Sequence, residues 1–499
     1  MDIRGDLAKS WEQVDPTTYI FRLHENAKWN DGVPVTSADI AFSLDGAVCV
    51  DCNGLDGLQG PSRTGAIYTD SYYEAGNTRI IDDYTVEVKT MFPAPAFIPT
   101  LALDVFKVLP KHTVLGERKA QTIKKPEDFN GSGPFIHKGY TKDVMNEYER
   151  NPNYFKEGYP RIDGMRHVIL IDSGSQIAAF QTEQVMLPNW IVHQIGVFDA
   201  LKLAEELKGK VDFHWAGPIL AHGVGFNTTK APFNDVRVRR AIGLAIDRAE
   251  MVEVLSGGVH IMGSPVPPNT LWGRTTEELI KLPGYRYVDA AGTPVTGSLK
   301  GVVGLKKDPR DIELAKQLLA EAGLPDGFDV VLSCRNAVGY CDEAAIFVEQ
   351  IKKIGVNATI KTYESAAGYK AYDAGDFQFM IQGRSLAFMD PDVIFGQWSD
   401  STQTRWGAGG APGTNFVHPG GFEELLVKQS KEQDLKKRQA IVRQMEDILM
   451  NEDAQYINLF WGARAFPVNT KVKGFKLHPS HYMLTKWEHL WCDPANPCN

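Results

Sequence analysis

The stretch from Gln382 to Phe416 gathers the side chains best suited to holding a small solute: Arg384, Phe388, Trp398, Trp406, Asn415 and Phe416. Aromatic walls bury ligand area while a few polar groups fix its orientation. A guanidinium just after an apolar strand calls for a carboxylate or phosphate partner, in the ligand or in the protein itself. Trp398 and Phe388 read equally well as core. Catalysis finds less support. The chain has no G-x-S-x-G elbow, H-E-x-x-H pair or P-loop, and its 12 histidines and 62 carboxylates guarantee chance Ser/His/Asp sets. His193, His214 and His222 are too widely spaced to make a local metal site. No catalytic residue, metal ligand or cofactor is assigned. A periplasmic hydrolase or metal-dependent enzyme on an α/β scaffold is the alternative reading, and turnover of the solute would identify it.

The six cysteines fall into three local pairs, Cys49/Cys52, Cys334/Cys341 and Cys492/Cys498. Close, even pairing suits disulfides in an oxidising compartment, with free thiols as the alternative. A redox-active reading of Cys49/Cys52 lacks the strand-then-helix setting such sites use, and a zinc site needs four ligands. The charge of 53 basic against 62 acidic residues gives −9, without long single-sign runs, which argues against a nucleic-acid surface and favours solubility. No apolar run reaches the length of a membrane span, since Asp104 and Lys107 interrupt Phe97 to Leu109.

The elements that must position these residues are those of a mixed α/β protein whose length allows two to four domains. Tyr19, Phe21 and Leu23 alternate with polar neighbours, as do Val86 and Val88 within Thr85 to Lys89, and both segments predict strands. Thr36 to Asp39 resembles a capping box. His167 to Ile171 reads as a continuous apolar strand in a buried sheet. From Asp308 to Gly383 strand and helix patterns alternate as parallel crossover units require. Asp308-Pro309 opens a helix closed by Gly323, Asp329 to Ser333 is a strand, and Asp342 to Ile354 is a helix stopped by Gly355. Val356 to Lys361 is a second strand, and Phe377, Phe379 and Ile381 mark another. Helices follow at Phe422 to Ser430 and Asp434 to Asn451. In Gly225 to Arg248, Asn234 or Asp235 caps a helix with Val238, Ala241, Ile242 and Ala245 inward, and Arg237, Arg239 and Arg240 largely on the other face.

That run, GFNTTKAPFNDVRVRRAIGLAIDR, closely resembles the signature of the extracellular solute-binding proteins of family 5, the dipeptide, oligopeptide and nickel receptors of ABC importers. Matches recur in order. They include DLAKSWEQVDPTTYIFRLHENAKWNDGVPVTSADIAFSL (Asp6 to Leu44), GSGPF with YERNPNYF (Gly131 to Tyr154), AKQLLAEAGLPDGF (Ala315 to Phe328), GDFQFMI, MDPDVIF and VKGF. Cys49 to Asn77 and Lys281 to Lys307 fit no part of the pattern and read as insertions. The resemblance implies a bilobal periplasmic-binding-protein-like fold, type II in its large cluster-C form, with mixed sheets and a hinge. Lobe I would span 1–222, lobe II 223–468, and 469–499 would return to lobe I. The hinge crossings would lie near Gly223 to Asn227 and Ala465 to Thr470.

The implied function is a substrate-binding receptor. It would capture a peptide-like or other small solute between two lobes and deliver it to an ABC permease, as a periplasmic or extracellular monomer that meets the membrane through the transporter. The sequence begins without an export signal and without the opening segment that precedes LAKSWE in the family, so both are expected upstream. One position departs from the pattern. Family peptide receptors carry an aspartate for the peptide amine where Ala387 aligns, so a solute bearing an anion or hydroxyls, opine-like or sugar-like, is expected over a standard peptide. Asp390 or Asp392 would be the substitute, although the family uses this turn to shape the lobe. Gly131 to Pro134 would line the opposite lobe.

Overall fold

The computed structural model describes residues 3–48, 72–103, 106–114, 129–170, 172–187, 195–337, 339–386, 388–399, 418–477 and 486–498. The chain divides into two compact units. The first comprises Met1–His214, Ala465–His478 and Tyr482–Asn499, the second Trp215–Arg464 and Pro479–His481. The breaks after His214 and after Arg464 fall inside long strands, β8 (Val211–Phe226) and β15 (Tyr456–Asn469).

The first unit is built from small antiparallel sheets. β1 (Ala8–Asp15), β2 (Thr18–Leu23), β3 (Thr78–Asp82) and β4 (Thr85–Lys89) lie in the order β1-β2-β4-β3. Alternation works as the sequence indicates, for Tyr19, Leu23, Val86 and Val88 are all buried. Helix α1 (Ser37–Val48) follows the Thr36 turn, where the Thr36 N–H donates to Asp39 Oδ2 at 2.9 Å. β5 (Phe135–Thr141), β6 (Met145–Arg150) and β7 (Gly164–Val168) form a second sheet. Here the reading of His167 to Ile171 as a buried strand is wrong. β7 is the edge of a three-stranded antiparallel sheet, and Val168 and Ile169 are 47% and 39% exposed. An apolar run alone cannot separate a sheet interior from an edge.

The second unit carries a six-stranded sheet in the order β13-β12-β14-β8-β15-β9. Its members besides β8 and β15 are β9 (Ile261–Met262), β12 (Phe328–Arg335), β13 (Val356–Tyr363) and β14 (Phe379–Ser385), while β10 (Tyr287–Val288) and β11 (Lys306–Lys307) pair separately. The expected crossover units are present, with β12 parallel to both β13 and β14. β14 runs antiparallel to β8. One sheet face packs on helices α2 (Val236–Ala245), α3 (Pro309–Glu321) and α4 (Tyr340–Ile351), where Phe226, Phe233, Phe347 and Phe379 are fully buried. The Phe233 ring lies 5.0 Å from both Phe226 and Phe379. Each such ring contributes about 1.5–3 kcal/mol by leaving water. Asp308 caps α3 and Pro309 occupies its first turn, as the sequence indicates.

The signature run is scaffold for this core. Asn227 Nδ2 donates to the carbonyls of Gly375 and Phe377 at 3.0 and 3.1 Å, and Asp235 caps α2. Arg239 does not lie on the outer face. It is buried, and its guanidinium donates to the carbonyl oxygens of Phe233 and Asp453, satisfying a chain reversal that solvent does not reach. The segment Lys281 to Lys307, read as an insertion, contributes Tyr285 and Tyr287 to a satellite core. Cys334 and Cys341 are disulfide-bonded, as are Cys492 and Cys498, and Cys49 and Cys52 lie outside the described residues.

Candidate functional site

The parallel pair β12 and β14 sets the site. Leu332 and Ser333 stand level with Phe379 and Met380, and the Arg335 Nε–H donates to Gln382 Oε1 at 3.2 Å. Gln382 and Arg384 are two residues apart on one face of β14. Two arginines are thereby held at the carboxyl ends of neighbouring strands, on the face turned away from the phenylalanine core. Carboxyl ends of this kind are where open α/β sheets bind ligands.

Each guanidinium lies over aromatic rings. Arg384 Cζ is 4.3 Å from the centroid of the Tyr456 ring, and the Tyr456 hydroxyl donates to the Gln382 carbonyl at 2.5 Å. Small residues on β8 make room for that ring, since Gln382 faces Gly223, Arg384 faces Ala221 and Met380 faces Gly225. A methyl on Gly223 would come within 2.5 Å of Tyr456 and of the Ile457 carbonyl oxygen. Arg335 Cζ is 3.8 Å from the Tyr369 centroid and 5.1 Å from that of Tyr340, and its Nη1 donates to Ser365 Oγ at 2.6 Å. Ser365 and Tyr369 belong to α5 (Ser365–Asp373). Gly368 lets this helix approach, because a methyl there would meet Arg335 Cγ at 2.5 Å.

The electrostatics follow from burial. Desolvation pushes Arg384 down to about 10, and it raises the phenols of Tyr456 and Tyr340 well above their ordinary range. Both tyrosines stay neutral donors and acceptors, and Arg384 remains a cation at neutral pH. Arg335 makes no ion pair among the described residues, so its charge is answered by dipoles and π faces.

Arg384 and Phe388 are the two anticipated site residues whose side chains are described, and Phe388 is buried beside the end of β14. Trp398 sits in helix α6 (Pro391–Ser399), while Trp406, Asn415, Phe416 and Ala387 lie outside the described residues. Arg335, Gln382, Tyr340, Tyr369 and Tyr456 were not anticipated. The signal for Arg335 was the one that singled out Arg384, a guanidinium closing a strand.

Asp390 and Asp392 are taken up inside the unit. Arg438, on α7 (Leu435–Asp447), donates to both Asp390 oxygens at 2.6 and 3.0 Å, and Ser430 and Gln429 donate to Asp392. Arg438 also lies over the Trp272 ring, whose Nε1 donates to the Met389 carbonyl. This cluster shapes the unit. His222 is likewise core, with Nδ1 2.7 Å from Glu343 Oε1 and its ring stacked on Phe460. Gly131 and Gly133 offer their carbonyls to the Asn30 N–H and the Asn151 side chain. Among the described residues no His/Cys/Asp/Glu group could hold a metal, and no helix is long and apolar enough to cross a membrane.

Comparison with known proteins identifies the family and the fold. The model of the bacterial extracellular solute-binding proteins, family 5 Middle, matches residues 2–406. The dipeptide-binding protein of Escherichia coli K12 is 25% identical over 502 residues, which cover 95% of this chain and 83% of that protein. Among solved structures, the DppA protein of Helicobacter pylori in complex with the peptide STSA matches with a TM-score of 0.74 at 22% identity, over 98% of this chain and 90% of that one. The PBP AgaA in complex with agropinic acid, from A. tumefaciens R10, gives 0.74 at 22%, over 98% and 89%. The structural likenesses establish the periplasmic binding-protein fold.

Proposed function

The chain belongs to the bacterial extracellular solute-binding proteins, family 5, and on that premise we propose that it captures a small anionic solute for an ABC-type importer, with Arg335 and Arg384 holding the anion. What supports the reading is the pair of guanidinium groups at adjacent strand ends, each fixed by tyrosine rings and by hydrogen bonds around Gln382. A carboxylate or phosphate engages a guanidinium through paired, charge-assisted hydrogen bonds. The Asp390 carboxylate is spent on Arg438, so it offers a peptide amine no charged partner. An acidic, opine-like or hydroxyl-rich solute therefore fits better than an unmodified peptide. Phe388, Trp398, Trp406, Asn415 and Phe416 complete the proposed site.

The role is binding and delivery without turnover. Solute contacts favour a closed state that the permease reads, because a ligand shifts a conformational equilibrium only by its differential affinity for the two states. The protein works as a periplasmic or extracellular monomer and meets the membrane through its transporter.

The test is a thermal-shift comparison of agropinic acid with the peptide STSA on the parent chain, Arg335→Ala and Arg384→Ala. A ligand that binds only the folded state adds about 2.7 kcal/mol at a hundredfold excess over its dissociation constant. The reading expects the acid to give the larger shift and both substitutions to diminish it. A larger shift from STSA that neither substitution reduces overturns it.

A further inference from the structure

The sequence places each half of one disulfide next to a residue of the arginine site. Cys334 precedes Arg335 on β12, and Cys341 follows Tyr340, the first residue of α4. The bond holds their Cα atoms 5.4 Å apart, seven residues apart in sequence. Among the described residues between them, the chain turns on few contacts. The Ala337 N–H donates to the Arg335 carbonyl at 2.8 Å, the Tyr340 N–H to the Ala337 carbonyl at 3.1 Å, and the Asn336 N–H to Tyr363 at 2.8 Å. Gly339, at φ 79°, opens α4 with no side-chain cap, so nothing else of covalent strength fixes the first turn of this helix to the end of the strand. Tyr340 then passes the constraint onward. Its ring lies 5.1 Å from the Arg335 guanidinium, and its hydroxyl packs on the backbone of Gly383, between Gln382 and Arg384, where an added methyl would meet it at 2.5 Å.

We infer that the Cys334–Cys341 disulfide is a positioning element of the solute site, holding Arg335 and Tyr340 in register with β14 so that removing it weakens solute binding and not only stability. The inference rests on the reading of Arg335 as an anion-holding residue. A crosslink with a purely structural role would lower the melting temperature and leave affinity measured well below it unchanged. A positioning crosslink raises the dissociation constant, and its effect disappears once Arg335 is gone. Preorganising a binding group gains affinity by removing the ordering cost from the binding step.

The experiment is a double-mutant cycle on the full chain, with agropinic acid as probe and STSA as the second probe, read by titration calorimetry at 15 °C. The variants are Cys334→Ala/Cys341→Ala, Arg335→Ala, and the combination. Cys492→Ala/Cys498→Ala is the control, since that bond spans a similar separation of six residues in the other unit. The inference expects the first variant to bind about tenfold more weakly, within the coupling range of groups in contact, with less than about a twofold further loss in the Arg335→Ala background. The control should bind as the parent does. Parent-like affinity in Cys334→Ala/Cys341→Ala, or a loss that persists in full without Arg335, overturns the inference while leaving the arginine site standing. An Arg335→Ala variant that binds as tightly as the parent overturns the arginine site itself, and the inference falls with it. Should the parent bind neither probe, phenylglyoxal modification of Arg335, followed by mass spectrometry, reads the same positioning. Faster labelling of Arg335 in the disulfide variant, with Arg384 unchanged, supports the inference, and equal rates at Arg335 overturn it.

Discussion

Replacing Gly223 by alanine probes the support beneath the site more sharply than removing any charged group. The added methyl carbon would lie 2.5 Å from the Ile457 carbonyl oxygen and 2.5 Å from Tyr456 Cε1. The carbonyl belongs to β15 and cannot retreat alone, so the ring must shift, and with it the surface on which Arg384 lies. Overpacking of this kind costs about 1–3 kcal/mol, while the smaller conformational freedom of unfolded alanine offsets about 0.4–1 kcal/mol. A net loss of about 1–2 kcal/mol lowers Tm by roughly 2–8 °C for a unit of this size. Gly225 is the internal control. It lies two residues away on the same face, and a methyl there would meet Met380 Cε at 3.4 Å and Tyr456 Cδ2 at 3.5 Å, ordinary contact distances. Thermal melts followed by circular dichroism, with and without agropinic acid, should show Gly223→Ala melting lower with a reduced ligand shift, and Gly225→Ala close to the parent. Equal melting of both variants, or a full ligand shift in Gly223→Ala, would refute the reasoning.

Other perturbations have equally definite outcomes. Cys334→Ala/Cys341→Ala should lose about 2.5 kcal/mol in urea unfolding, the loop-closure contribution of a short disulfide ring, and an unchanged midpoint would contradict it. Burial first, and the neighbouring His222 ring second, hold His260 at about 3. The unfolded chain takes up this proton near its ordinary value of about 6.5 and the folded chain does not. Its contribution is therefore complete above that pH and is lost progressively as pH falls towards 3. His260→Phe should flatten urea midpoints measured at pH 7, 5.5 and 4.5, and a parallel pH dependence in parent and variant would count against the account. Asp390→Ala leaves the buried Arg438 guanidinium without its bidentate partner and should cost about 3–5 kcal/mol with solute affinity unaltered at low temperature. Selective loss of STSA binding in a variant that still folds would instead make Asp390 an amine anchor.

The crossover region of the second unit was legible because its signals are local. Helix α3 announces itself through Asp308-Pro309 at one end and Gly323 at the other, and Phe379 and Ile381 point into the core as their alternation requires. Helix α5 escaped notice because SAAGYKAYD has small residues where an apolar stripe would be. Without that helix Arg335 had no visible partner. Its hydrogen bonds reach Ser365 and Gln382, 30 and 47 residues away, and Arg239 reaches Asp453 across 214 residues. Pairings at such separations are set by topology, so a charged residue inside a helical pattern looks exposed until the fold brings a carbonyl to it. In the sequence the glycine-rich GVGF run reads as a strand-like hinge crossing. The approach of Tyr456 and of the Ile457 carbonyl explains why Gly223 carries no side chain.

The central claim is that this receptor holds an anionic solute on Arg335 and Arg384 without changing it. Native mass spectrometry of the parent chain and of Arg335→Ala/Arg384→Ala, each incubated with agropinic acid and then desalted, tests it most directly. The account predicts one intact molecule of the acid per parent chain, recovered unaltered on denaturation, and none on the double variant. Equal occupancy of both proteins, or recovery of a cleaved or modified product, would contradict it.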